Sequence, residues 1–483
     1  MPDAEEPDPL ADARPSGDPV RGTGPPSVGR RVAAAGPALV CPDRPGFAAD
    51  PVTPPLRLAA SLPLGRGRSV GVVADAAGAR WTVPLVDDGS RVRRAVAGDG
   101  VAQALTAFLG AGDEVVGFDG VPWHAERWHA EPVAGERAMG VDQTNESVVV
   151  GERAVVKWNL RLPSEGADGP DGADVPHPAP RRLASLAAAG FTGTARPWGL
   201  LSRGDLLLAT VTEYLPGAVD GWTWAVDDVR ALARGEVTLD AALEPVRTVA
   251  GLVAGLHAAL AATGRDVLTD AGAAAWAERA EADLHEALQL VEGPEGERLA
   301  ARASAITAGT APLAGAAGTP LIDVHGDLHV GQVLRHPRPP GDGGGFGYAI
   351  VDLDGTPVLA PAERLARRPA AVDVGGFLAS LDHVGRVVVR RTEDVDVAAV
   401  ERWIDAATAA FLDAYTAALA AAGLADLLDE RLLRPVRLQQ ECREFHYAAR
   451  HLPHWRYVPD AALGALLRDR AEDRQPVADR DPS

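Results

Sequence analysis

His325-Gly326-Asp327-Leu328-His329-Val330-Gly331-Gln332-Val333-Leu334 follows an apolar, strand-like run (Leu321, Ile322, Val324). A second such run, Tyr348-Ala349-Ile350-Val351, ends in Asp352-Leu353-Asp354-Gly355. The spacing predicts two acidic turns, each after a strand, joined by a short hairpin. Asp327 is placed to accept a proton from a hydroxyl, and Gln332, five residues on, can face a metal. Asp352 and Asp354 complete a set of hard oxygen donors of the kind a divalent cation prefers. A base beside such a metal is what moving a phosphoryl group onto a hydroxyl requires. Asp residues in turns also serve as plain backbone caps. Two in this order, each after an apolar strand, favour the chemical reading.

The order H-G-D-x4-Q followed by hydrophobic-D-x-D resembles the catalytic and metal-binding loops of the aminoglycoside phosphotransferase-like kinases, relatives of the protein kinases. The fuller H-G-D-L-H-x-G-Q-x-L-R is similar to the actinobacterial glucosamine kinase and maltokinase group. The resemblance runs from about residue 55 to 465. It implies an α+β, bilobal protein-kinase-like fold with an N-terminal α/β cap, and ATP and Mg²⁺ as cofactors. It also implies Asp327 as base, with Gln332, Asp352 and Asp354 on the metal.

Composition sets outer limits. A chain of 483 residues predicts two or three compact units, and no apolar run is long enough to span a membrane. The N-terminus is rich in Pro, Asp and Gly without an apolar stretch, and the two cysteines, Cys41 and Cys442, lie far apart. Both features point to the cytoplasm rather than secretion. A net charge of −20 disfavours nucleic acid and anionic membranes as partners. A monomer or weak homodimer acting on a small molecule is expected.

Lys157 is the only lysine in the chain. In a sequence so biased to Arg, a surviving lysine at one site suits a point contact with phosphate oxygens, for which the wide guanidinium fork is less apt. Just ahead of it, Asp142-Gln143-Thr144-Asn145-Glu146-Ser147 is a polar turn at the head of the strands Val148–Val150 and Ala154–Trp158. The resemblance makes it the phosphate loop, with Gln143, Thr144, Asn145 and Ser147 as nucleotide contacts. Leu206–Thr212 reads as a buried strand broken by Glu213-Tyr214-Leu215-Pro216-Gly217, and the resemblance makes Glu213 and Leu215 the adenine hinge.

In chain order, residues 1–50 read as poorly ordered, 51–135 as a cap with one helix near 99–109, and 136–216 as a lobe carrying Lys157. Residues 217–470 read as a helical lobe and 471–483 as a disordered tail. In the helical part, apolar residues at helical spacing run from Leu243 to Ala262 with His257 on or beside that face, where a packing role is expected. Related kinases pair the strand lysine with a Glu on the next helix. No acid lies between Arg181 and Gly190. Lys157 is therefore expected to contact Asp352 or phosphate directly, or to borrow Glu165, Asp171 or Asp174. The resemblance also implies that Asp373, after the metal loop, braces the catalytic loop.

The last long helix places Arg437, Gln440, Glu441, Glu444 and Tyr447 at spacings of three and four. By resemblance it lines the acceptor pocket, with Gln440, Glu441, Glu444, Trp455, His329 and Asp327 around the sugar. The metal loop reads D-L-D-G-T-P where maltokinases carry D-F-E-G-E-P, and a row of carboxylates suits an ammonium sugar. Glucosamine is thus the expected acceptor, and the resemblance implies phosphorylation on its 6-hydroxyl. Maltose is the alternative, with an aminoglycoside phosphotransferase third. A nucleotide-binding pseudokinase is the reading from outside the enzymes; the intact Asp327, Gln332, Asp352 and Lys157 oppose it.

Overall fold

The computed structural model describes residues 26–40, 52–111, 115–116, 121–140, 146–164, 176–338 and 344–472. The first sheet is built from β1 (Arg57–Gly65), β2 (Arg68–Ala74), β3 (Arg80–Asp87) and β4 (Val92–Arg94). Its buried positions, such as Leu62, Val70, Val72 and Val83, come from the short apolar runs of this region. The helix expected near 99–109 is α2 (Val101–Ala111), seated by Val101, Leu105 and Leu109.

Residues 26–40 correct the expectation of a poorly ordered leader. Helix α1 (Pro26–Ala35) and a short turn place Val32, Leu39 and Val40 against Trp81, Val83 and Leu85. Proline at the first helical position and this apolar face give the segment something to bury.

The second sheet has seven antiparallel strands: β5 (Val115–Val116), β6 (Pro122–Arg127), β7 (Glu136–Ala138), β8 (Glu146–Val150), β9 (Ala154–Trp158), β11 (Pro197–Arg203) and β12 (Leu206–Glu213). Their order across the sheet is β5-β6-β11-β12-β9-β8-β7. The strands at 115–127, expected in the cap, therefore belong to the sheet that carries Lys157. Between β9 and β11, the strand β10 (Arg161–Leu162) leaves this sheet to pair with β3. The chain that carries the lysine thus stitches the two sheets together. Helix α3 (Pro178–Ala188) starts at His177, whose side chain accepts from the Ala179 N–H.

After β12 the chain is helical apart from short strand pairs. Helices α4 (Gly221–Ala233) and α5 (Leu239–Ala261) are capped by Asp220 and Thr238, and the apolar face of α5 is buried as its 3.6-residue period predicts. Strands β13 (Asp266–Val267) and β14 (Pro320–Leu321) pair across α6 (Asp270–Leu290) and α7 (Gly293–Thr310). The hairpin β15 (Val333–Pro337) and β16 (Phe346–Ile350) connects the two acidic turns, as expected. A short helix α8 (Pro361–Leu365) precedes α9 (Ala371–Arg391), α10 (Val397–Ala421), α11 (Leu433–His451) and α12 (Tyr457–Glu472). Phe377 of α9 stacks on Phe411 of α10 at 4.9 Å, fixing these helices behind the site. No helix among the described residues is long and apolar enough to cross a membrane.

Candidate active site

The loop that carries Asp327 is held from behind. Asp373, in the first turn of α9, accepts from the backbone N–H of His325 at 2.7 Å and of Gly326 at 2.8 Å. It also meets His257 Nε2 at 3.0 Å, and His257 Nδ1 meets the Tyr415 hydroxyl at 2.6 Å. Burial raises the Asp373 carboxyl, but His257, His325 and the loop amides outweigh it and hold it below the usual range. Asp373 is thus the brace expected of it, and His257 its support. His325 Nε2 donates to the Val351 carbonyl at 2.8 Å, so its Nδ1 is the acceptor for the Asp327 N–H at 3.3 Å.

Asp327, at the tip, faces a cavity of about 740 Å³. Burial, the Asp352 carboxylate and then the Glu444 carboxylate push its pKa up to about 7. A carboxylate with that proton affinity is matched to taking a proton near neutrality.

At the second turn Asp352 takes a left-handed φ of 65°. For a non-glycine residue this costs of order 1–3 kcal/mol and persists only where neighbours impose it. Here the Val351 N–H donates to the Gln332 carbonyl at 2.9 Å, and Lys157 Nζ reaches Asp352 Oδ1 at 2.7 Å and Asp354 Oδ2 at 2.8 Å. Burial works against the ammonium, but Asp354 and Asp352 outweigh it and raise its pKa. Burial likewise raises Asp354, yet Lys157 and His177 bring it down to about 2. Of the partners foreseen for Lys157, Asp352 is the one found, with Asp354 added; Glu165, Asp171 and Asp174 lie outside the described residues. The Gln332 amide stands 3.5 Å from Asp352 Oδ2. The Asp352 and Asp354 carboxylates are oxygens of the hard kind that suit Mg²⁺, and both meet the Lys157 ammonium.

The nucleotide-side residues are only partly placed. Gln143, Thr144 and Asn145 lie outside the described residues. Ser147 is buried directly opposite Lys157 in the β8–β9 ladder. Glu213 ends β12 with an ion pair to Arg196 at 3.0 Å, and the Leu215 carbonyl accepts from the Ala218 N–H at 3.2 Å.

Helix α11 presents Gln440, Glu444 and Tyr447 to the cavity that Asp327 and His329 also line, with Trp222 and Trp455 as an aromatic wall. Gln440 Nε2 donates to Glu444 Oε1 at 3.0 Å and so orients it. The two indoles meet edge to face at 5.8 Å, and Trp222 stacks on His329 at 6.0 Å. Burial lowers His329 to about 4, leaving it neutral.

Glu441 is the correction. One helical residue is about 100° of rotation from its neighbour, so Glu441 turns away from the cavity and is 1% exposed. Both its oxygens meet His383 Nε2, at 3.0 and 2.9 Å. Burial opposes charge on His383, but Glu441 and then Glu444 outweigh it and push its pKa up to about 9. His383, which lines the cavity, was not foreseen; a histidine on a helix gives no local sign of a partner 58 residues on. The folded pKa of His383 lies above 6.5, so the stability from its protonation is full below that pH and is lost as pH rises through about 9. At Glu441 burial outweighs His383 and raises the carboxyl. Glu441→Gln leaves a buried cation without its carboxylate, and a loss of about 3–5 kcal/mol is expected in urea unfolding at pH 7. A loss below about 1 kcal/mol would show that the pair is not ionised.

No protein-family model matches the chain. It is 54% identical over 460 residues to the glucosamine kinase of Streptacidiphilus jiangxiensis, covering 93% of this chain and 100% of that one. It is 42% identical over 418 residues to the glucosamine kinase of Mycolicibacterium smegmatis (strain ATCC 700084 / mc(2)155), covering 84% and 97%. Among solved structures, a glucosamine kinase (crystal form B) superposes with a TM-score of 0.79 at 53% identity, covering 91% of this chain and 99% of that one. A glucosamine kinase in complex with glucosamine, ADP and inorganic phosphate superposes with a TM-score of 0.77, also at 53% identity and the same coverage.

Proposed function

The chain belongs to the glucosamine kinase family, and from that premise we propose that it transfers the γ-phosphoryl group of ATP to the 6-hydroxyl of glucosamine. The observation that carries the residue roles is the meeting of Asp327 with Glu444 and Gln440 in one cavity, close enough that Glu444 raises the proton affinity of Asp327. The sugar hydroxyl oxygen attacks the γ-phosphorus, its proton passes to Asp327, and the bond to the β-phosphate oxygen breaks. ADP and the sugar phosphate leave.

Gln332, Asp352 and Asp354 are the residues that would hold Mg²⁺, which when bound neutralises charge on the phosphate oxygens. Lys157, beside the two aspartates, would meet the same phosphate oxygens. In the finer reading of the fold, residues 136–216 and 217–470 are the two lobes of a protein-kinase-like enzyme. ATP then sits between them, against Ser147 and the Glu213–Leu215 hinge.

Glucosamine is mostly an ammonium ion at neutral pH, and a cation entering a partly dry cavity needs a carboxylate. Glu444, fixed by Gln440, is placed to supply it. Such a charge-assisted bond contributes about 1.5–3 kcal/mol, one to two orders of magnitude in preference over glucose. Maltose carries no charge and gains nothing from it. A coupled ADP-release assay over glucosamine, glucose, maltose and kanamycin is expected to give glucosamine the highest kcat/KM; faster turnover of maltose or kanamycin overturns the assignment. Glu444→Gln is expected to narrow the glucosamine-to-glucose ratio of kcat/KM about tenfold or more, with KM for ATP little changed. An unchanged ratio means that another acid reads the amine.

A further inference from the structure

We propose that Arg182 is a positioning residue for phosphoryl transfer, tying the loop of the base to the loop of the metal through their backbones. It sits in the first half of α3, 2% exposed, with its guanidinium between the two loops. Its Nη1 donates to the His325 carbonyl at 3.0 Å and to the Leu353 carbonyl at 2.7 Å. Its Nη2 donates to the Arg364 carbonyl at 3.1 Å. A single nitrogen thus joins the residue two before Asp327 to the residue directly after Asp352.

A glycine from each loop lies against the guanidinium, and Gly355 keeps the space around that nitrogen clear. Gly326 and Gly355 both adopt left-handed φ, 82° and 73°, and a methyl group at Gly355 would stand 3.1 Å from Nη1. The loops close upon the guanidinium at points where only glycine is at ease. Packing alone does not call for this arrangement. Burying a guanidinium is costly, and an apolar chain of similar length would fill the volume without that cost. The planar fork, with donors fixed in several directions, is what three carbonyls from three segments require.

In protein kinases the strand lysine is paired with a glutamate on the following helix. Here the lysine is taken by Asp352 and Asp354, and the helix holds the loops themselves. The distance from base to metal ligand then depends on Arg182. In-line transfer tolerates little error there, since a misplacement of about 1 Å can cost about 10²-fold in rate.

The inference rests on the assignment of Asp327 and Asp352 given above, so its test includes a measurement that involves neither sugar nor base. Arg182→Met keeps the bulk and removes every donor; Arg182→Lys keeps the charge and loses the fork. Both are assayed well below their melting temperatures. For Arg182→Met, kcat on glucosamine is expected to fall about 10- to 100-fold while KM for glucosamine stays within about twofold. Calorimetry is expected to show ADP binding in Mg²⁺ weakened by about fivefold or more, and metal-free ADP binding unchanged. Arg182→Lys is expected to fall between variant and parent, and it decides by the same criteria if Arg182→Met does not fold. Parental kcat, or parental ADP affinity in Mg²⁺, overturns the proposal. So does an equal loss in metal-free ADP binding, the mark of a general loosening. Full activity of Asp327→Asn would fail the base assignment without touching the calorimetric result.

Discussion

Asp327→Asn retains ATP binding and loses turnover by about 10²–10⁴-fold, because the amide cannot take the hydroxyl proton. The same substitution is expected to stabilise the fold in alkaline solution. The folded-state pKa of Asp327, about 7, stands above its ordinary value of 3.8, so the folded protein holds this proton more tightly than the unfolded chain. Stability is therefore lost as pH rises through that interval. The asparagine carries no such charge. Its Tm should exceed the parent's by several degrees at pH 8, and the difference should close as the pH falls toward 3.8. Turnover within a few-fold of the parent would end the assignment of Asp327 as base. A Tm difference independent of pH would mean that its carboxyl is not buried among like charges.

Asp352→Ala is expected to raise the Mg²⁺ concentration for half-maximal activity at least about tenfold, the range lost even when a neighbour of a metal ligand is removed. ATP weakens with it, since cation-bridged phosphate oxygens lose an anionic partner. A second effect runs through the base. The Asp352 charge is one of the causes holding Asp327 high, so without it Asp327 releases its proton more readily. The acid limb of the kcat/KM profile should move to lower pH. An Mg²⁺ titration superimposable on the parent's would place the metal elsewhere.

What the sequence made legible was local. The second acidic turn could be read because β16 ends at Ile350, two residues before Asp352. The first follows an apolar run of which only Pro320–Leu321 is strand, six residues ahead of Asp327. The buried face of α5 followed from period alone; on α11 the spacing grouped Gln440, Glu444 and Tyr447 correctly but wrongly added Glu441. Pairings between distant segments were beyond it. Nothing in residues 115–127 says that they join β11 rather than β1, and nothing near Glu441 says that His383 awaits it. Helix α3 offers Lys157 no acid; its adjacent Arg181 and Arg182 cross to other segments instead. Arg181 bonds Asp323 and the Leu365 carbonyl. The usable signal there was two adjacent arginines near the start of a helix that carries no acid to pair them.

The union of Lys157 with Asp352 and Asp354 also bears on how the enzyme meets reagents. A chain with one lysine offers an acylating agent a single side-chain amine, and only the unprotonated amine is a nucleophile. Both carboxylates hold that proton in place, so the intact enzyme should gain almost no mass from an amine-directed ester beyond its α-amino group. Asp352→Ala and Asp354→Ala each loosen the proton, and each should be acylated at Lys157 faster than the parent. The one lysine is then a built-in probe, read by mass spectrometry, of whether the aspartates still hold it.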